Sequence, residues 1–131
     1  MANYKHRDTY PGVTAYATVT DARKAAEFYR IALGAEIVDA RETDGGKIMH
    51  CEARINGGAF MFNDPFPEHG MGDTANGCAM TLIVEDAQAW WDRGVAAGMA
   101  VETDLHVAFW GDKYGQFKDP YGLSWAIVGP Q

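Results

Sequence analysis

The chain has 131 residues and a net charge of −7; 47% are hydrophobic and 22% charged. That length suits one compact domain able to bury roughly two-thirds of the surface its unfolded chain exposes, and the apolar share excludes wholesale disorder. No apolar run reaches the ~18 residues a membrane span requires, and the acidic excess argues against nucleic acid and anionic membranes, which are held by Lys and Arg. The start, Met1-Ala2-Asn3-Tyr4-Lys5-His6-Arg7, lacks the apolar core of a signal peptide, so a cytoplasmic location is expected. Cys51 and Cys78 stand far apart in no metal-like spacing and read as free, buried thiols.

In chain order, Val13, Ala15, Ala17 and Val19 alternate with Thr14, Tyr16 and Thr18, which predicts a strand with one packed face. Asp21 then offers a helix N-cap, and Ala25, Phe28, Tyr29, Ala32 and Leu33 recur at helical spacing. Gly34 supplies the left-handed stop. Three strand-like runs follow, Ala35 to Glu42, Ile48 to Asn56 and Ala59 to Asn63, parted by Asp44-Gly45-Gly46 and Asn56-Gly57-Gly58. Residues 64–76, rich in Pro, Gly and Asp, read as a linker whose length suits a lid or dimer arm as well as a plain crossover.

The same order then recurs. Cys78, Met80, Leu82 and Val84 alternate with Ala79, Thr81 and Ile83; Asp86 is the cap; Ala87, Trp90, Trp91, Gly94 and Val95 form the apolar stripe; Gly98 is the stop. Ala100 to Trp110, Tyr114 to Lys118 and Leu123 to Val128 complete the second set. The caps, Asp21 and Asp86, lie 65 apart, and the closing glycines, Gly34 and Gly98, lie 64 apart. The chain is therefore a tandem β-α-β-β-β repeat within a single domain, about 11–63 and 77–129. The fold class is α+β, with helices on the outer face and a curved mixed sheet around a cavity.

His50, Glu52 and Arg54 share one strand face, with Met49, Cys51, Ala53 and Ile55 on the packed one. A His beside a carboxylate suits acid–base chemistry or a metal; it equally suits a polar stripe closed by a His–Glu or Glu–Arg pair. Both readings stand open. His69 and His106 read as surface residues and His6 as part of a frayed basic start. Trp110 is a stacking wall or an interface anchor, and Trp125 a core residue. The aromatic content favours a homodimer.

The Val19-Thr20-Asp21, Phe28-Tyr29 and Leu33-Gly34-Ala35 segments, with Asp119-Pro120-Tyr121-Gly122, resemble the vicinal oxygen chelate superfamily of glyoxalases, bleomycin-resistance proteins and dioxygenases. His50-Cys-Glu52 through Met61 to Asp64, and Trp110-Gly111-Asp112 through Trp125, look like its PhnB-like branch. The resemblance implies a divalent metal held by His, Glu or Gln at positions falling near Thr14, Met61, Ala79 and Ala126. None of these four is such a ligand, so no metal and no cofactor are expected. What the resemblance then implies is a homodimer that binds a small, partly apolar molecule through Tyr16, His50, Glu52, Met61, Phe109 and Trp110, with Arg54 and Lys113 as the available cations. Two rivals follow: a lyase or dioxygenase-type enzyme working through an atypical metal site or His50 and Glu52, and a duplicated domain with a vestigial pocket.

Overall fold

Eight stretches of period-two patterning and two of helical patterning become ten elements in the computed structural model, which describes residues 14–67 and 78–131. They are β1 (Ala15–Thr18), α1 (Ala22–Leu33), β2 (Glu36–Glu42), β3 (Ile48–Ile55) and β4 (Gly58–Asn63), then β5 (Ala79–Ile83), α2 (Ala87–Ala97), β6 (Ala100–Val107), β7 (Lys113–Lys118) and β8 (Ser124–Gly129). His6, Val13, His69 and most of the linker lie outside the described residues. Each repeat builds one four-stranded half, ordered β1-β4-β3-β2 and β5-β8-β7-β6. The β1–β4 and β5–β8 pairs are parallel and the others antiparallel, so both halves are mixed.

The helices begin and end as their sequences dictate. Asp21 Oδ1 accepts from the Lys24 amide at 3.1 Å and Asp86 Oδ1 from the Ala89 amide at 3.0 Å, each satisfying a first-turn donor. Gly34 and Gly98 end them in the left-handed region, at φ 66° and 113°. Ala22, Ala25, Tyr29, Ala32 and Leu33 bury the inner face of α1; Ala87, Trp91 and Gly94 do so for α2. Val95, expected in that stripe, is exposed. Gly94 takes the contact with the sheet, and its successor falls about 100° around the helix from it.

Two close approaches hold α2 down. A Cβ on Gly94 would stand 2.6 Å from Phe117 Cε2, and one on Gly115 would stand 2.6 Å from Trp91 Cζ3. The glycines thus let Trp91 and Phe117 stack at 4.6 Å with 10° between their planes.

The repeats meet along α1, α2 and the neighbouring strand ends. Phe60 on β4 meets Trp125 on β8 edge to face at 5.1 Å. Arg93 Nε donates to the Ala32 carbonyl at 3.0 Å, and Asn56 Nδ2 donates to the Ile83 carbonyl at 2.9 Å. Deeper, the Tyr29 hydroxyl donates to Asp119 Oδ2 at 2.5 Å. Trp125 Nε1 reaches the same oxygen at 2.9 Å, and the amides of Tyr121 and Leu123 donate to Oδ1 at 2.8 and 3.0 Å.

Two expectations are corrected. Cys78 is exposed, because it precedes β5 instead of lying in its packed face; Cys51 alone is buried. Met49, expected on the packed face, is 54% exposed, and Ile48 is buried in its place. The ladder pairs Glu42 with Ile48 but Arg41 with His50. Met49 is therefore the extra residue of a β-bulge, which breaks strict alternation.

Candidate functional site

The helices cover one face of each sheet and leave the other open. In the first half Phe60, Phe62 and Ala53 are buried towards α1, where Tyr29 meets both rings edge to face. Their neighbours along the strands therefore occupy the open face. Tyr16 pairs across the ladder with Met61, and Met61 with Glu52. His50 sits two residues from Glu52, its ring 5.6 Å from that of Tyr16 and its Nδ1 3.4 Å from the Tyr16 hydroxyl. That hydroxyl also donates to the Met49 carbonyl, at 3.3 Å, and partial burial raises its pKa, so it remains a neutral donor.

Glu52 is 3% exposed and pairs with Arg54, whose Nη2 and Nε stand 2.9 and 3.0 Å from Oε2. Of the two pairings left open by the sequence, the Glu–Arg pair is present. The fold thus brings Tyr16, His50, Glu52 and Met61 together. Phe109 and Trp110 lie apart from them, on the turn after β6, where Phe109 is 98% exposed and Trp110 half-exposed. Their ring partners are each other at 5.0 Å and, for Trp110, Tyr114 at 5.6 Å.

The strand pairings relate the two open faces. Met61 faces Glu52 in one half, and Ala126 faces Gln116 in the other. His50, Glu52 and Arg54 therefore correspond to Tyr114, Gln116 and Lys118, each 64 residues on, as 52 goes to 116. A β-bulge recurs at one place in both: Val38 is the extra residue between Ile37 and Asp39, and Glu102 between Val101 and Thr103. The period-two pattern of β6, with Val101, Thr103, Leu105 and Val107 alternating with Glu102, Asp104 and His106, did not reveal Glu102 as the bulged residue, because a bulge appears only in the pairing with β7.

Two cavities lie elsewhere, and Tyr16, His50, Glu52, Met61, Phe109 and Trp110 line neither. One of about 240 Å³ sits in the seam between the repeats, walled by Ala15, Phe60, Met80, Leu82 and Trp125 with Asn56 at its edge. The other, about 580 Å³ and shallow, lies at the start of α1, and its charged groups answer one another. There Arg23 pairs with Glu42, Lys47 donates to the Pro65 carbonyl, and Asp64 accepts from the Ala22 and Ile48 amides at 2.7 and 2.6 Å.

The metal positions implied by the resemblance carry a hydroxyl, a thioether and two methyl groups at Thr14, Met61, Ala79 and Ala126. Their cross-strand neighbours are Tyr16 and Glu52 beside Met61, Ser124 beside Ala79, and Thr81 and Gln116 beside Ala126; the one carboxylate among them, Glu52, is held by Arg54. One engaged carboxylate and one amide, with no imidazole beside them, do not make the set of ligands such a divalent ion takes. Among the described residues no three of His, Cys, Asp and Glu gather where they could share a metal.

With this architecture in place, comparison with known proteins gives the family. Residues 13–127 match the Glyoxalase/Bleomycin resistance protein/Dioxygenase superfamily, and the chain belongs to it. It is 34% identical over 127 residues to the uncharacterized protein Mb0911c of Mycobacterium bovis, covering 92% of this chain and 84% of that one. Its fold is shared with the PhnB protein of Bacillus cereus at TM-score 0.71 and 23% identity, over 88% of this chain and 97% of that one. It is shared too with TnmS3, an antibiotic binding protein from a Streptomyces species, at TM-score 0.69 and 23% identity, over 90% and 93%. No helix among the described residues is long and apolar enough to cross a membrane.

Proposed function

We propose that the protein is a cytoplasmic homodimer of the PhnB-like branch that binds a small, partly apolar and planar molecule on its open sheet faces, without a metal. The observation that carries this reading is the lining of those faces. Tyr16 and Met61 on one, and Trp110 and Tyr114 on the other, supply aromatic and thioether walls beside hydrogen-bonding groups, the composition of small-molecule sites. The metal positions of the family, by contrast, hold Thr14, Met61, Ala79 and Ala126. Likeness to an antibiotic binding protein supports sequestration over turnover. Ile83, Phe109 and Trp110 are large exposed apolar residues, and pairing with a second copy would cover such groups and enclose the ligand. The acidic charge disfavours nucleic acid as a partner.

Tyr16, His50, Glu52, Met61, Phe109 and Trp110 are the residues assigned to the ligand. The test is calorimetric titration of the tag-free protein with 9-aminoacridine, alongside Zn²⁺, Mn²⁺, Ni²⁺ and Fe²⁺, with light scattering for the oligomer. Saturable binding of the dye that weakens about ten-fold in Trp110→Ala is expected, with twice the chain mass in solution. Micromolar binding of a metal that His50→Ala or Glu52→Gln abolishes would favour the enzyme reading instead.

A further inference from the structure

The bulge shared by the two repeats places a valine in one and a carboxylate in the other. In the first half Val38 occupies it, and the open-face carboxylate is Glu52, answered by Arg54 at 2.9 Å. In the second half Gln116 stands where Glu52 would, and the acid comes instead from the bulge. An extra residue in a strand re-aims its side chain, and here it turns Glu102 onto the open face. Ser124 Oγ donates to Glu102 Oε1 at 2.8 Å and Gln116 Nε2 at 3.2 Å, while the Tyr114 hydroxyl donates to Gln116 Oε1 at 3.0 Å. Both bonds to Glu102 land on one oxygen. Among the described residues nothing donates to Oε2, and no cation lies within ion-pair distance. The Ser124 and Gln116 bonds, with the more distant Lys118, hold the carboxyl below its ordinary range, so it is charged at neutral pH.

Beside this acid stands a ring cluster. Tyr114 is two residues from Gln116, about 7 Å along the strand. His106 meets Tyr114 at 6.2 Å and Trp110 meets it at 5.6 Å. A charged carboxylate with a free oxygen, next to aromatic faces, is complementary to a cation through both a charge-assisted hydrogen bond and the ring quadrupoles.

We propose that Glu102 anchors the protonated amine of a planar aromatic ligand seated on the second open face against Tyr114 and Trp110. The inference rests on the small-molecule reading above and adds the charge of the molecule.

Two probes of one ring system separate the inference from that reading: 9-aminoacridine, a cation at neutral pH, and acridine-9-carboxylate, an anion. Each is titrated calorimetrically into the full chain and into Glu102→Gln, Glu102→Asp and, as a control at the exposed carboxylate that precedes α2, Glu85→Gln. The cation should bind at least ten-fold tighter than the anion. Glu102→Gln should erase that preference, Glu102→Asp should keep part of it, and Glu85→Gln should leave it in place. Thermal melts confirm folding; Gln at this exposed position still accepts from Ser124 and Gln116. Equal affinity for both probes, or a preference that survives Glu102→Gln or vanishes in Glu85→Gln, overturns the inference and leaves ligand binding standing. Failure of both probes to bind overturns both.

Discussion

Asp119 is the residue on which most hydrogen bonds converge in the interior, and three of its four bonds are buried, the one from the Tyr121 amide being part-buried. Tyr29 and Trp125 donate to one oxygen and two backbone amides to the other, with the carboxylate 3% exposed. Burial and the neighbouring charge of Asp119 push the Tyr29 hydroxyl far above its ordinary range, so it stays a donor at every pH the fold survives. Removing it leaves the ring packing intact and deletes one bond to a charged group, worth about 2 kcal/mol. Tyr29→Phe should therefore lower unfolding free energy by that amount in urea titrations; an unchanged midpoint would mean that the remaining three donors suffice. The thiols differ as sharply. Burial, with lesser contributions from Asp39 and Glu52, pushes Cys51 up to about 11, whereas Cys78 is exposed. Since the thiolate is the reacting species, a thiol reagent at pH 8 should modify one cysteine per native chain and two after unfolding.

At the scale of elements, regular periodicity was readable and irregularity was not. The caps Asp21 and Asp86 and the stops Gly34 and Gly98 follow from residue types whose local physics is the same in any context. The bulges at Val38, Met49 and Glu102 obey no such rule, since an extra residue appears only when two strands are laid side by side. Met49 consequently changed faces, and Glu102 was hidden in a strand, Ala100–Val107, whose residues alternate as if it were regular. The shared face of Tyr16, Glu52 and Met61 was legible because β1, β3 and β4 keep step where those residues lie, whereas His50 borders the Met49 bulge. Close approach is a second thing composition conceals. Ala at Gly94 would gain about 1 kcal/mol of helix propensity, yet its Cβ would stand 2.6 Å from a Phe117 ring fully buried and stacked on Trp91. Overpacking of this kind costs about 1–3 kcal/mol, so Gly94→Ala should be destabilising by thermal melt. A more stable variant would mean that Phe117 has room to move.

For the whole molecule, the question is whether a duplicated chain behaves as two units or one. Each repeat has its own sheet and helix, and each could be imagined unfolding alone. The contacts between them argue otherwise: Tyr29 from the first repeat sits among Tyr121 and Trp125 of the second, at 6.3 and 5.5 Å, and donates to Asp119. Opening the seam would strand a buried carboxylate and expose these rings, a penalty comparable to the 5–15 kcal/mol that stabilises a typical domain. Separate unfolding is therefore disfavoured relative to joint unfolding. The tryptophans make this testable, because all four, Trp90, Trp91, Trp110 and Trp125, belong to the second repeat. Their fluorescence follows one half, while far-ultraviolet circular dichroism follows both. Coincident urea transitions by the two probes are expected. If dichroism were instead to retain a second step after the fluorescence change is complete, the repeats would be independent units, and the Tyr29–Asp119 bond would not couple them.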